Sequence, residues 1–387
     1  MEPIQLAAVL AGVVLVASII SVELGITVAL IELTLGVVVG NALDLKSQDW
    51  LDLLATFASI VLTFLAGMEV DPGYMRRRLN ASVGIGAASF GGPFVVASLV
   101  AYLALDWSGR ASLIAGTALS TTSLAVVYAV LVERGLTESD VGKLLMSATF
   151  VTDLLTALTL SAIFIKPSLW YPLFLAVSVA LIVALPRIAP WFFGRYGDRV
   201  IEPEIKLVFL CLFVLMVLAD AANGHAVLPA FVLGLVMSRH YDEHREEQKR
   251  LRVVAFALLT PLFFVKGGLN VSLSAVGANF GVLLVLLAAK MVPKVVLVYP
   301  LARRADRKHA TFGTLLMSTG LTFGTIASLY GLGAGIIDRT QFSLLVTVVV
   351  LSAIVPTAIA ERWFLPDVAR GSHLRRRRAY NESEEYV

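Results

Sequence analysis

The hydrophobic positions of this chain form long uninterrupted runs, separated by short polar segments. Thirteen of these runs have about the length, ~20 residues, that an α-helix needs to cross a bilayer, although the ninth and tenth are short. The predicted spans cover residues 4–20, 23–42, 51–69, 83–105, 111–132, 142–164, 168–186, 204–221, 224–238, 251–267, 274–298, 310–332 and 341–363. The pattern therefore predicts an all-α polytopic membrane protein with 13 transmembrane helices.

The composition supports a membrane protein and argues against a soluble enzyme. Hydrophobic residues make up 58% of the 387 residues and charged residues only 15%, and the mean hydropathy is +0.84. A soluble domain is closer to half apolar and a quarter charged, so the excess apolar surface here has to face lipid. No basic segment precedes the first run, so we expect a retained helix rather than a cleaved signal.

The basic residues predict how the helices are oriented. Loops on the cytoplasmic side of a membrane are enriched in Lys and Arg. When residues at the span ends are counted with the adjoining loops, 24 of the 31 Lys and Arg residues belong to the tail and the loops after odd-numbered spans, and four to the loops after even-numbered spans. This bias predicts an external N-terminus and a cytoplasmic C-terminus. Divided as six, one and six, the spans form two inverted six-helix repeats, the arrangement of many secondary transporters.

The fifth span of each repeat has a cluster of hydroxyl side chains at its centre. In such transporters the binding site lies where corresponding helices unwind at mid-membrane, and hydroxyl and freed carbonyl oxygens can coordinate a small hard cation. Hydroxyls in membrane helices also bond to their own helix or mediate packing, which is the alternative here. The residues concerned are Ser120, Thr121, Thr122 and Ser123 in span 5, and Ser318, Thr319, Gly320, Thr322 and Gly324 in span 12.

One carboxylate, Asp153, lies near the middle of span 6. An ionisable group at the bilayer centre costs ~3 kcal/mol or more, so a functional role is expected. A proton and a cation that compete for this carboxylate would, with alternating access, give exchange. The adjacent Thr152 could supply a hydroxyl ligand or simply pack.

Other charges also lie within predicted spans. Lys290 and Lys294 share one face of span 11, and Lys294 is nine residues from Arg303, or about 13 Å along a helix. We expect at least one of the two lysines to point into the protein, near Asp153 or an interrupted helix. For Glu32 in span 2, structural hydrogen bonding and ion handling are equally consistent with the sequence.

Five segments, in order along residues 20–330, resemble the monovalent cation/proton antiporter superfamily, in particular its sodium/proton and Kef-type branch. They are VALIELTLGVVVGN, LTFLAGMEVDPGYMRRR, the stretch from ALSTTSLAVV to MSATFVTDLL, LPAFVLGLVMS and PLFFVKGGLNVSL. The resemblance implies a NapA/NhaA-like fold with crossed discontinuous helices, a homodimer, and a role in pH homeostasis. Asp153 matches the family's ion-binding aspartate and Lys294 best matches its core lysine, with Lys290 as the alternative.

The resemblance also implies how the chain is divided. We predict scaffold segments at 1–82 and 166–267 (the latter including a linker helix), core transport segments at 83–165 and 268–364, and a cytoplasmic tail at 365–387. The tail is too short for the nucleotide-binding domain that many Kef-type members carry, so we expect no nucleotide partner, no nucleic acid and no cofactor.

The sequence departs from the family pattern at two positions, and the second bears on the function. Asn41 stands where proline is usual, and Thr152 stands where electrogenic members carry a second aspartate. With Asp153 as the one carrier, the prediction is electroneutral exchange of Na⁺, K⁺ or Li⁺ for H⁺, although a lysine that changes protonation would reopen the electrogenic option. A cation-coupled symporter of an organic anion, with a bile-acid-carrier-like fold, and a channel remain as alternatives.

Overall fold

The computed structural model describes residues 2–24, 27–45, 47–68, 72–137, 139–164, 169–197, 199, 201–222, 224–243 and 245–366. These residues are organised as α-helices with one π-helical turn. The first nine helices are α1 Pro3–Leu24, α2 Val28–Ala42, α3 Asp49–Met68, α4 Pro72–Arg77, α5 Leu79–Leu103, α6 Gly109–Ser120, α7 Leu124–Glu133, α8 Asp140–Phe164 and α9 Tyr171–Tyr196. The remainder are α10 Pro203–Ala221, α11 Val227–Glu243, α12 Arg245–Val254, the π turn Ala255–Leu259, α13 Thr260–Leu269, α14 Leu273–Ala278, α15 Phe280–Ala305, α16 Ala310–Met317, α17 Thr322–Gly333 and α18 Arg339–Trp363.

Within the described ranges, ten helical segments are long and apolar enough to cross a membrane, and two shorter apolar helices accompany them. Each of the thirteen predicted spans falls on one of these segments or on α10. The structure is thus an all-helical polytopic membrane fold with about ten to thirteen apolar helices. The count of thirteen spans, the inverted repeats and the orientation stay predictions, and most of the predicted tail, residues 367–387, lies outside the described part.

Both spans that the sequence predicted to unwind are interrupted. The first interruption covers residues 121–123, between α6 and α7, where Thr121 is extended (φ −62°, ψ 151°). The second covers residues 318–321, between α16 and α17. The prediction of an unwound segment was wrong for Ser120, Thr322 and Gly324, which belong to helices. Ser120 is the last residue of α6, and its hydroxyl donates to the carbonyl of Thr117 in the same helix. Thr322 and Gly324 lie in the first turn of α17, where backbone amides have no partner within the helix.

The chain divides into two compact units, each built from separate stretches of sequence. Unit 1 comprises residues 1–71, 154–277 and 338–343. In unit 1, α2 packs against α13, and α3 packs against α11. A Cβ on Gly36 would lie 3.0 Å from the Cα of Val265, and one on Gly268 would lie 2.6 Å from the backbone nitrogen of Val37. The two helices therefore touch backbone to backbone, which only glycine permits.

Unit 2 comprises residues 72–153, 278–337 and 344–387. In this unit α5 packs against both α6 and α15, α15 packs against α16, and α17 packs against α6. Buried side chains of α5, α7, α8, α15 and α16, including Ile85, Leu131, Leu145, Val298 and Phe312, form one apolar core. Unit 2 holds both helix interruptions and Asp153. The predicted scaffold and transport roles of the segments stay predictions.

Candidate functional site

Lys294 connects the two helix interruptions of unit 2. It lies near the middle of α15 and is 0% exposed. Its ammonium group donates to the carbonyl oxygen of Thr121 at 2.8 Å, to Oγ1 of Thr122 at 3.0 Å and to the carbonyl oxygen of Met317 at 2.8 Å. All three donors of the ammonium group are thus used. The carbonyls at Thr121 and Met317 lie where each helix stops, so the lysine satisfies groups that the interrupted helices leave open.

Lys290 lies one turn before Lys294 and is also 0% exposed. Its ammonium group donates to the carbonyl oxygen of Thr121 at 3.2 Å. The sequence left open which lysine points into the protein, and in the structure both reach the same carbonyl oxygen. They differ in their bonding, because Lys294 has three short acceptors whereas the bond of Lys290 is single and longer.

Ser89 of α5 also belongs to this cluster, and the sequence analysis missed it. Its Oγ donates to the carbonyl oxygen of Met317 at 3.2 Å and lies 3.2 Å from Oγ1 of Thr122. Thr122 in turn donates to the Met317 carbonyl oxygen at 2.9 Å. A lone serine in an apolar span is not a distinctive pattern, and only the small residues around it, in AASFGG, hint at close packing.

Glycine lets the second interruption lie directly against the first. A Cβ on Gly324 would lie 2.9 Å from the carbonyl oxygen of Ala118 and 3.1 Å from Oγ1 of Thr121. A Cβ on Gly320 would lie 3.2 Å from the same Thr121 hydroxyl and would clash with Nζ of Lys290. Two glycines that the sequence assigned to helix unwinding thus provide space at the contact between the two interruptions.

Asp153 is buried in α8, with 1% of its surface exposed. Its Oδ1 has no hydrogen-bond partner among the described residues. Within the described ranges, Asp153 forms no ion pair of 4.0 Å or less with Lys294 or with any other basic side chain. A buried carboxylate oxygen without a partner is uncommon, and it leaves lone pairs that a proton or a cation could use.

Two predicted ligands, Thr121 and Thr152, and two residues predicted to lie in unwound segments, Ser120 and Thr319, donate their hydroxyl hydrogens to nearby helix carbonyls. Thr121 donates to Ala118 at 3.1 Å, Thr152 to Thr149 at 2.6 Å, Ser120 to Thr117 at 2.9 Å and Thr319 to Leu316 at 2.7 Å. Ser123 instead accepts from the backbone nitrogen of Val126 at 3.3 Å, at the start of α7. A hydroxyl that donates its hydrogen to a carbonyl keeps two lone pairs, which could coordinate a cation.

Glu32 does not join this cluster. It is 1% exposed and lies in α2, which belongs to unit 1. Among the described residues there is also no group of three or more His, Cys, Asp and Glu side chains that could hold a metal ion. Carboxylate, hydroxyl and carbonyl oxygens, which are the polar groups described above, are the ligands that hard cations prefer.

The fold and the site define a class: a polytopic membrane protein in which a buried lysine joins two interrupted helices and the same unit holds a buried carboxylate. The chain belongs to the sodium/hydrogen exchanger family, whose transmembrane model matches residues 7–364.

Similar proteins and a similar structure accompany this match. The chain is 26% identical over 336 residues to "Probable Na(+)/H(+) antiporter 3" of Methanocaldococcus jannaschii, covering 83% of this chain and 86% of the relative. It is 23% identical over 357 residues to "Na(+)/H(+)-K(+) antiporter GerN" of Bacillus cereus, covering 87% and 89%. The structure of the sodium proton antiporter MjNhaP1 from Methanocaldococcus jannaschii has the same fold, with a TM-score of 0.69, 14% identity, and coverage of 95% of this chain and 99% of that chain.

Proposed function

We propose that this protein is a secondary antiporter that exchanges Na⁺, K⁺ or Li⁺ for H⁺ across the cell membrane. The proposal rests above all on one observation, the buried Asp153 carboxylate with an unpaired oxygen in the unit that holds both helix interruptions. Membership of the sodium/hydrogen exchanger family supports the reaction. The names of the relatives, which include Na⁺/H⁺ and Na⁺/H⁺–K⁺ antiporters, support the class of ions.

The chemistry of the carboxylate explains how one group exchanges two ions. Burial disfavours the bare carboxylate, so Asp153 is stable either as a neutral acid or with a cation beside it. Proton and cation therefore exclude one another, and alternating access converts that competition into exchange. One carboxylate that releases one proton per cation gives electroneutral transport.

The hydroxyls would complete the coordination of the transported cation. Thr121, Thr122, Ser123 and Thr152 lie at or next to the interruption or Asp153, and a carboxylate, hydroxyls and carbonyls are the ligands of a hard cation. Lys294 would hold the two interruptions in place through its bonds to Thr121 and Met317. In this proposal unit 2 is the transport unit and unit 1 the scaffold.

The setting of the transporter follows from the sequence pattern and the family resemblance. We place the protein in the cell membrane as a homodimer, with the N-terminus outside and the C-terminus in the cytoplasm, and without nucleotide, nucleic acid or cofactor. The exposed apolar side chains of α1 and α9, such as Leu15, Ile19, Leu175 and Val179, supply surface that only lipid or another protein chain can cover.

Proteoliposomes that contain a pH-sensitive dye test the proposal. Added Na⁺, Li⁺ or K⁺ should drive proton movement through the wild-type protein without any organic substrate, and with the membrane voltage clamped the rate should not change with the voltage. Asp153→Asn should abolish the signal, whereas Asp140→Asn, which removes an exposed carboxylate at the start of the same helix, should preserve it.

Several results would contradict the proposal. Transport retained by Asp153→Asn would remove Asp153 as the carrier. Cation flux that occurs only with an added bile-acid-like anion would favour the symporter, and cation flux with no counter-movement of protons would indicate a channel. A rate that depends on voltage would refute electroneutrality alone.

A further inference from the structure

Glu32 is a buried carboxyl group in unit 1 that the proposed transport site does not use. Its Oε2 has no hydrogen-bond partner among the described residues. α2 packs against α1 and α13. The titratable residue of α1, Glu23, is exposed, and the charged residue of α13, Lys266, is bound to Asp52 at 2.9 Å. Among the described residues, no ion pair of 4.0 Å or less includes Glu32.

The packing of α2 on α13 shows what Glu32 faces. The two helices run parallel, because Gly36 lies against Val265 and Gly40 lies four residues further along against Leu269. Gly268 likewise lies against Leu33 and Val37. This pairing puts Glu32, which is one turn before Gly36 on the same face of α2, beside the first turn of α13. A helical side chain leans towards the N-terminus of its helix, so the carboxyl group reaches back towards Thr260 and the π turn.

The hydrogen-bonding pattern of the partner helix is broken at this level. The amide of Thr260 bonds to the carbonyl of Ala255, five residues earlier, as in a π-helix. Pro261 has no amide hydrogen, so a carbonyl oxygen of the π turn lacks the donor that another residue would supply. The Thr260 hydroxyl is 1% exposed and, among the described residues, has no partner either. Such π turns are frequent at functional sites.

We propose that Glu32 is a second proton-binding site, separate from Asp153, which holds a proton at the junction of the π turn and α13. An ionised carboxylate buried without a cation costs several kcal/mol. A carbonyl oxygen can only accept a hydrogen bond, so a carboxylate repels it, whereas a protonated carboxyl group can donate to it and accept from the Thr260 hydroxyl. The proton therefore satisfies groups on both helices, and it stabilises the contact between α2 and α13.

Infrared difference spectroscopy on the purified full-length protein tests this site. The carbonyl stretch of a protonated carboxylic acid is separate from those of carboxylates and amides. In a background of Asp153→Asn, which removes the buried acid of the proposed transport site, the protonated-acid band should persist at neutral pH and should disappear on adding Glu32→Gln. If the double variant does not fold, the same band is compared between the wild type and Glu32→Gln alone.

Two further measurements can overturn the proposal. Thr260→Val should shift the frequency of the band, because it removes one hydrogen-bond partner of the acid, and an unchanged frequency would refute the assigned position. A protonated-acid band that does not change on Glu32→Gln would refute the bound proton. If Na⁺ raises the unfolding temperature of Asp153→Asn, and adding Glu32→Gln abolishes that increase, the Glu32 carboxyl oxygens hold a cation and not a proton.

Discussion

The two buried lysines of α15 allow a matched test of what fixes the helix interruptions. We predict that Lys294→Met destabilises the protein much more than Lys290→Met. The two positions lie one turn apart on the same helix and are equally buried. Methionine keeps most of the side-chain volume and removes the charge and the hydrogen bonds. The two variants therefore differ mainly in which interactions with residues 121–122 and 317 are lost.

The magnitude follows from the bonds that each variant loses. Lys294 makes three charge-assisted hydrogen bonds of 2.8–3.0 Å, each worth roughly 1.5–3 kcal/mol. Part of this is offset, because the variant no longer buries an ammonium group, and because the carbonyl of Met317 keeps Ser89 and Thr122 as donors. We expect a net loss of about 2–4 kcal/mol. Lys290 loses one bond of 3.2 Å, so its net loss should be about 1 kcal/mol or less.

The assay is the thermal unfolding midpoint of the full-length protein in one detergent, at a fixed pH and Na⁺ concentration. Lys294→Met should lower the midpoint by several times the change produced by Lys290→Met. Equal changes would show that hydrogen bonding by the ammonium group does not decide the stability of this region. A larger change for Lys290→Met would reassign the structural role to that lysine.

Three further predictions concern other parts of the molecule. Gly268→Ala should lower the thermal unfolding midpoint, because the added Cβ would meet the backbone of α2 near Leu33 and force α2 and α13 apart. We expect a cost of about 1–3 kcal/mol. An unchanged midpoint would show that the contact between α2 and α13 relaxes freely. Tyr74→Phe should cost about 1 kcal/mol, since the Tyr74 hydroxyl donates to the backbone carbonyl of Asp140 at 3.0 Å. Burial, and secondarily the charge of Asp140, raise the pKa of Tyr74 above 10.0. The contribution of the Tyr74 hydroxyl to the free energy of unfolding is therefore complete below pH 10 and is lost as the pH rises further. If the wild type and Tyr74→Phe lose equal stability from pH 9 to pH 11, this prediction is refuted. Finally, Na⁺ at ten times its dissociation constant should stabilise the wild type by about 1.4 kcal/mol. The stabilisation should be smaller at acid pH, where protons compete, and absent in Asp153→Asn. Equal stabilisation of both proteins would show that the cation binds elsewhere.

Local patterns carried most of the prediction of the fold. The apolar runs predicted helices in an all-helical membrane protein, and the family resemblance is confirmed by the match over residues 7–364. The hydroxyl clusters predicted an interruption in both spans that have one. The sequence did not predict the exact limits of each interruption, because Ser120 and Thr322 are compatible with either a helix end or an unwound segment. Packing against neighbouring helices decides between these two conformations.

By itself the sequence predicted which runs form the apolar helices, because the length and composition of a run suffice for that. It also singled out Asp153, Lys290 and Lys294 as charges that are costly within such helices. Only the tertiary structure decided which groups meet. The shared carbonyl of Thr121, the contribution of Ser89, and the level at which Glu32 faces α13 depend on the register between helices that are distant in sequence. That register is set by close backbone contacts at a few small residues, and no local pattern encodes it.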